Sequence, residues 1–142
     1  MSKLIGLDTN ILARYYVASE DGDEATQRQC ELACKLIESG RPLMVAKTVL
    51  LELEWVLRGY YKFNGEEIGR VFAHLLSLPN VQLEDREVVE RAVGNHSAGL
   101  DFADALHHAS YAHCSTMASF DDRGFAKKSK KLNLVPTVSL PR

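Results

Sequence analysis

Four carboxylates, far apart in the chain, stand where α/β proteins place reactive groups. Asp8 closes the short apolar run Leu4-Ile5-Gly6-Leu7, just before Thr9-Asn10 and the start of helical spacing. That is the carboxyl end of a first strand, the edge where open α/β sheets bind ligands. Glu52 lies in Val49-Leu50-Leu51-Glu52-Leu53-Glu54-Trp55-Val56-Leu57, in the first turns of an expected helix. Its flanking leucines suggest an apolar neighbourhood, where a carboxylate is costly unless paired or metal-bound. Glu54 is expected on the opposite, solvated side. Asp104 falls in the first turn of a helix opened by Asp101, and Asp121 follows the run Thr116-Met117-Ala118-Ser119-Phe120. Taken singly, each has a plain explanation: Asp8 or Thr9 as a helix cap, either Glu as surface charge. Taken together, in a sheet whose strand ends share one edge with the helix starts, four carboxylates can converge. Close like charges repel strongly in a low dielectric, and no Lys or Arg in these segments is an evident partner. A hard divalent cation with oxygen ligands, Mg²⁺ or Mn²⁺, resolves the repulsion. Such an ion activates water and stabilises a phosphate during in-line displacement.

Alternating strands and helices must position these acids. Short apolar runs at Leu4–Leu7, Pro42–Ala46, Val81–Leu83, Thr116–Phe120 and Leu134–Val135 read as strands. The first run predicts a strand buried on both faces, as in parallel sheets. Between them lie helical patterns: Ile11–Val17; Glu24–Glu38, after the acidic break Ser19-Glu20-Asp21-Gly22-Asp23; Val49–Arg58, with Thr48 as the expected cap; Glu66–Leu78; a helix opened by Asp85 and ending by Gly94 or Asn95; Asp101–Cys114; and the basic segment Phe125–Leu132. The alternation predicts an α/β fold with a mainly parallel central sheet and helices on both faces. Cys30 and Cys34, four apart, read as buried structural thiols, since no second ligand pair stands nearby.

At 142 residues the chain is expected to be one domain, 1–142. It contains no long apolar segment, so neither a signal peptide nor a membrane span is expected. Three cysteines in no framework spacing point to the cytoplasm. A net charge of −2 argues against a broad basic nucleic-acid surface. It leaves room for an enzyme that meets phosphate through metal held on carboxylates.

The segments Leu7-Asp8-Thr9-Asn10-Ile11-Leu12, Leu50–Leu57, Asp101-Phe102-Ala103-Asp104-Ala105-Leu106 and Ser119-Phe120-Asp121 resemble, in order, the motifs of PIN domains. More narrowly they resemble the VapC-type toxins of toxin–antitoxin pairs. The resemblance implies a PIN-like three-layer fold and a metal-dependent endoribonuclease, dimeric and silenced by a cognate antitoxin. By position it assigns the four acids to Asp8, Glu52, Asp104 and Asp121. Asp8, Asp104 and Asp121 would hold Mg²⁺ (or Mn²⁺), and Glu52 would complete the set or orient the attacking water. Thr9, Asn10 and Ser119 match polar supporting positions. The sequence departs from the family at Glu54, an apolar position there, and at His107 and His108. Asp122 duplicates Asp121. The lysines of 127–131 would hold the RNA backbone or form a solvated face.

Rival readings fit less well. A phosphatase of the haloacid dehalogenase kind needs a second Asp two residues after the first, where Asn10 stands. A receiver domain wants a Lys after its last strand, where Leu134-Val135-Pro136 offers none. No Gly-Lys-Ser/Thr phosphate loop exists. A catalytically silent PIN-fold binding protein is the non-enzymatic alternative, and retention of all four acids weighs against it.

Overall fold

The computed structural model describes residues 3–17 and 22–142; Ser19-Glu20-Asp21 of the expected acidic break lie outside them. The chain forms two compact units, Met1–Arg86 and Glu87–Arg142.

In the first unit, β1 (Ile5–Gly6), β2 (Leu43–Val45) and β3 (Val81–Leu83) form a parallel sheet in the order β1-β2-β3. Ile5 pairs with Leu43, and Leu43 with Val81. Parallel neighbours need long crossovers. Here α1 (Thr9–Tyr16) and α2 (Glu24–Ile37) lead from β1 to β2, and α3 (Lys47–Gly59) and α4 (Gly65–Ser77) lead from β2 to β3. Leu43, Val45, Val81 and Leu83 are buried, while Gln82 between the last two is exposed. Helix faces bearing Leu12, Ile37, Leu50, Leu53, Leu57, Phe72 and Leu75 complete the core. The helix starts follow local chemistry. Asp23 accepts from Thr26 N–H, and Asn64 and Glu67 exchange side-chain-to-backbone bonds of 2.8 and 2.9 Å in a capping box.

The second unit holds α5, whose range Arg86–Ser97 begins at the preceding residue, then α6 (Phe102–Ser110), β4 (Thr116–Ala118), one turn of π-helix (Asp122–Ala126), α7 (Lys127–Lys131) and β5 (Thr137–Ser139). β4 and β5 pair in parallel, Thr116 with Thr137 and Ala118 with Ser139. Val89, Ala92, Leu100, Phe102, Ala105, Ala109 and Phe125 are buried. Gly99, at φ +111°, turns the chain between α5 and α6 in a conformation that side chains rarely adopt. His108 is buried, its Nε2 2.7 Å from the Pro136 carbonyl. A carbonyl only accepts, so Nε2 carries the proton and ties α6 to the residue before β5.

The class is α/β, and every observed strand pair is parallel. Several local expectations give way. β1 is not buried on both faces: Ile5 is half-buried and Gly6 exposed, and the strand lies at one edge of its sheet. Thr48 does not cap α3, which starts at Lys47; the Glu84 carboxylate accepts the Lys47 N–H at 2.9 Å instead. Asp85 has a positive φ and pairs with the Lys47 ammonium at 2.6 Å, and α5 passes through Gly94 to Ser97. α6 ends at Ser110 rather than Cys114. The last strand forms after Pro136, not before it. The cysteines are free, Cys30 and Cys34 only half-buried and Cys114 exposed.

Candidate active site

Asp8 stands two residues past β1, and Leu7 between them still bonds the Met44 carbonyl through its N–H at 2.9 Å. The backbone of Asp8 is extended, and its side chain accepts the Thr9 N–H at 2.8 Å, capping α1. Capping and ligand binding are compatible here, because Asp8 is exposed and only one carboxylate oxygen has a partner among the described residues. Thr9 is buried, and its hydroxyl lacks a partner among those residues.

On α3 the expected roles of the two glutamates reverse. Glu54 is 4% exposed, and its carboxylate meets Arg58 Nε at 2.9 Å. Glu52 is exposed. Leu50, Leu53 and Leu57 mark the buried stripe at steps of three and four, and position 54 falls within it. Residues adjacent in sequence to Glu52 are not its neighbours on the helix surface. The apolar environment therefore belongs to Glu54, held by an ion pair one turn away. Glu52 is left with its carboxylate facing solvent.

In the second unit, Asp101 caps α6 by accepting the Asp104 N–H at 3.2 Å. Asp104 is half-buried, and its carboxyl is pushed above the usual range. Partial burial is the main cause, followed by the charges of Asp101 and then Asp121; His107 and Lys128 pull the other way. Asp104 and Asp121 thus feel one another across the unit, and Asp122 is not among the groups acting on Asp104. Asp121 is held from two sides. Its N–H bonds Ser119 Oγ at 3.0 Å, and its Oδ1 accepts the Gly124 N–H at 2.9 Å at the head of the π turn. Of the two histidines, His107 is exposed near Asp104, whereas His108 is committed to the Pro136 carbonyl. The four acids fall two and two: Asp8 and Glu52 in the first unit, Asp104 and Asp121 in the second.

The sequence model of the PIN domain family matches residues 5–131. The chain belongs to the PIN domain family. PIN domains are commonly nucleases and generally use divalent metal ions. Neither the curated proteins nor the solved structures gave a match. The matched span carries all four acids of this PIN domain and runs to the last residue of α7.

The donors suit a hard cation. A partly buried carboxylate beside two further acids has an excess negative field that protons or a divalent ion offset. Among the described residues, no three His, Cys, Asp or Glu side chains form a ready-made metal cage.

Gly124, which the PIN-like motifs did not flag, sits against the Asp121 carboxylate. A Cβ there would come within 2.7 Å of Asp121 Oδ1. Its only signal in the sequence is a glycine three residues after the acid. Gly124→Ala is expected to swing the Asp121 carboxylate aside without altering charge. Cleavage should fall about tenfold, equivalent to roughly 1.4 kcal/mol of barrier, with the melting temperature nearly unchanged. Full activity in this variant would show that the position of Asp121 is immaterial.

Proposed function

We propose that this PIN domain is a metal-dependent endoribonuclease, the toxin of a type II toxin–antitoxin pair of the VapC kind. The observation that carries the reading is Asp104: half-buried, raised in pKa, and facing Asp101 and Asp121 within a chain that matches the PIN family over residues 5–131. In this reading Asp8, Asp104 and Asp121 supply the oxygen donors for Mg²⁺ (Mn²⁺ also fits), and Glu52 orients the attacking water. When bound, the ion lowers the pKa of a water and offsets charge on the phosphate. The chain's own part is positioning. Asp101 anchors the backbone of Asp104, Ser119 and Gly124 fix Asp121, and His107 and Lys128 moderate the negative field.

The partners follow the same reading. An antitoxin Arg or Lys laid against the acids would compete with the metal for them. A homodimer belongs to the same reading. No helix among the described residues is long and apolar enough to cross a membrane. The test is incubation of the purified protein with structured RNA in Mg²⁺ and in EDTA. Internal cuts in Mg²⁺ that vanish in EDTA support the reading; equal cutting in both, or none in either, overturns it.

A further inference from the structure

The two histidines of α6 divide. His108 is buried, its Nε2 2.7 Å from the Pro136 carbonyl. His107 is exposed and makes no hydrogen bond or ion pair among the described residues. The helix buries Phe102, Ala105, Leu106, His108 and Ala109 on its inner side. Asp104 and His107, three positions apart, are left nearer to solvent. Residues at that step are neighbours on a helix surface, with Cβ atoms about 5–6 Å apart. Helical side chains lean toward the N-terminus, so the imidazole of His107 extends toward Asp104, and its charge acts on that carboxyl. The two nevertheless form no ion pair. An imidazole N–H therefore stays available one turn from a candidate metal-binding acid.

The surroundings specify what that N–H would meet. Asp101 and Asp121 add their negative charge to the setting of Asp104, and Lys128 is the other cation acting on it. A metal ion drawn to these acids has no use for a hydrogen-bond donor. An anion entering the same field does, and in the ribonuclease reading that anion is a phosphodiester. Lys128 supplies charge from a long, flexible stem, whereas the imidazole is a short, planar donor whose aim is set by the helix. Imidazole keeps at least one N–H donor whether neutral or charged, so the contact does not depend on its protonation.

We infer that His107 is a further catalytic residue, whose imidazole donates a hydrogen bond to a non-bridging oxygen of the RNA phosphate that is cut. The inference rests on the ribonuclease reading and adds a residue at which the sequence departs from the PIN-like motifs. The donor holds the phosphate beside Asp104 and stabilises the negative charge that builds on the oxygen during displacement. His107 gives up no proton in this role.

Two measurements test it, one of them independent of cleavage. In the full-length Asp104→Asn protein, kept in EDTA so that RNA stays whole, proton NMR follows the imidazole Hε1 signals. The signal of His107 is assigned by its loss in His107→Gln. A twelve-nucleotide oligouridylate should shift it and leave that of His74, exposed in the first unit, in place. A His107 signal that stays put through the titration overturns the proposal. In the active protein at saturating Mg²⁺, His107→Ala should lower kcat at least tenfold; one well-aimed donor in a closed site is worth about a hundredfold or more. KM, the half-saturating Mg²⁺ concentration and the melting temperature should stay as in wild type. His107→Gln, which retains an N–H donor, should regain at least threefold. RNA with sulfur at one non-bridging position of a single cleavable linkage reads the contact directly, because sulfur accepts hydrogen bonds weakly. One of the two diastereomers should slow wild type and slow His107→Ala no further. Unchanged kcat in His107→Ala overturns the proposal. So does a raised Mg²⁺ requirement with full kcat at saturation, which would mean that His107 acts only on the charge of Asp104. If wild type leaves the RNA whole in Mg²⁺ while RNA still shifts the His107 signal, the nuclease reading falls and His107 remains an RNA contact.

Discussion

Asp104→Asn should lower Mg²⁺-dependent RNA cleavage at least a hundredfold while the protein stays folded. The substitution keeps the shape of the side chain and the backbone N–H that Asp101 accepts at 3.2 Å, so the start of α6 survives. What it removes is one negative charge from a half-buried position already crowded by Asp101 and Asp121. A neutral amide is a poor donor to a hard divalent ion. Losing the ion forfeits several kcal/mol of charge stabilisation, and a hundredfold corresponds to only about 2.7 kcal/mol. Asp122→Asn is the matched control. It makes the same chemical change one residue from Asp121, on a side chain that shares a cleft with Arg123, Lys127 and Lys130, and should leave cleavage close to wild type. The measurement is the initial rate on one RNA at saturating Mg²⁺, with circular dichroism to establish folding. Near-wild-type cutting by a folded Asp104→Asn, or equal losses in the two variants, would remove Asp104 from the site.

The contrast between Asp104 and Glu54 shows where the sequence can be read directly. Asp8 and Asp101 cap the helices that follow them, as their positions suggest, whereas Asp23 and Asn64 cap α2 and α4 without being singled out in the sequence and Thr48 does not cap α3. Short buried strands bounded by turn residues, Leu43–Val45 and Val81–Leu83, were equally legible. The facing of an acid was not. The leucines beside Glu52 in sequence suggested an apolar setting, although the i, i+3, i+4, i+7 stripe through Leu50, Leu53 and Leu57 takes in Glu54. Counting register rather than neighbours identifies the buried glutamate, and Arg58 four residues on is its local partner.

Other features had no local signal. Thr137–Ser139 shows exposed threonine and serine around a half-buried valine, and its strand character comes from pairing with Thr116–Ala118, about twenty residues upstream. The cap of α3 comes from Glu84, thirty-seven positions away. The different surroundings of Asp121 and Asp122 likewise needed coordinates: Asp121 accepts the Gly124 N–H and its charge acts on Asp104, while Asp122 shares a cleft with Arg123, Lys127 and Lys130.

Metal-free protein should be less stable at neutral pH than in mild acid, and Mg²⁺ should reverse the difference. The folded-state pKa of Asp104 is raised, first by partial burial and then by Asp101 and Asp121. A carboxyl raised on folding binds its proton more tightly in the native state. Its contribution is therefore fully present below the unfolded value, about 3.9 for Asp, and is lost as pH climbs through the folded value. Above the folded value the loss is complete, and the charged carboxylate weighs against folding. Asp104→Asn should accordingly melt higher than wild type in EDTA at pH 7, with the gap closing toward pH 4. Wild type should gain roughly 2.7 kcal/mol from Mg²⁺ at a hundred times its dissociation constant, several degrees in melting temperature for a protein of this size. The variant should gain little. Stability and activity then move in opposite directions at one residue, as at sites built from mutually repelling groups. Melts of both proteins at pH 4 and 7, in EDTA and in Mg²⁺, separate the outcomes. If wild type ignores Mg²⁺ and the variant is no more stable than wild type in EDTA at pH 7, Asp104 bears no excess negative field and the argument for a cation there fails.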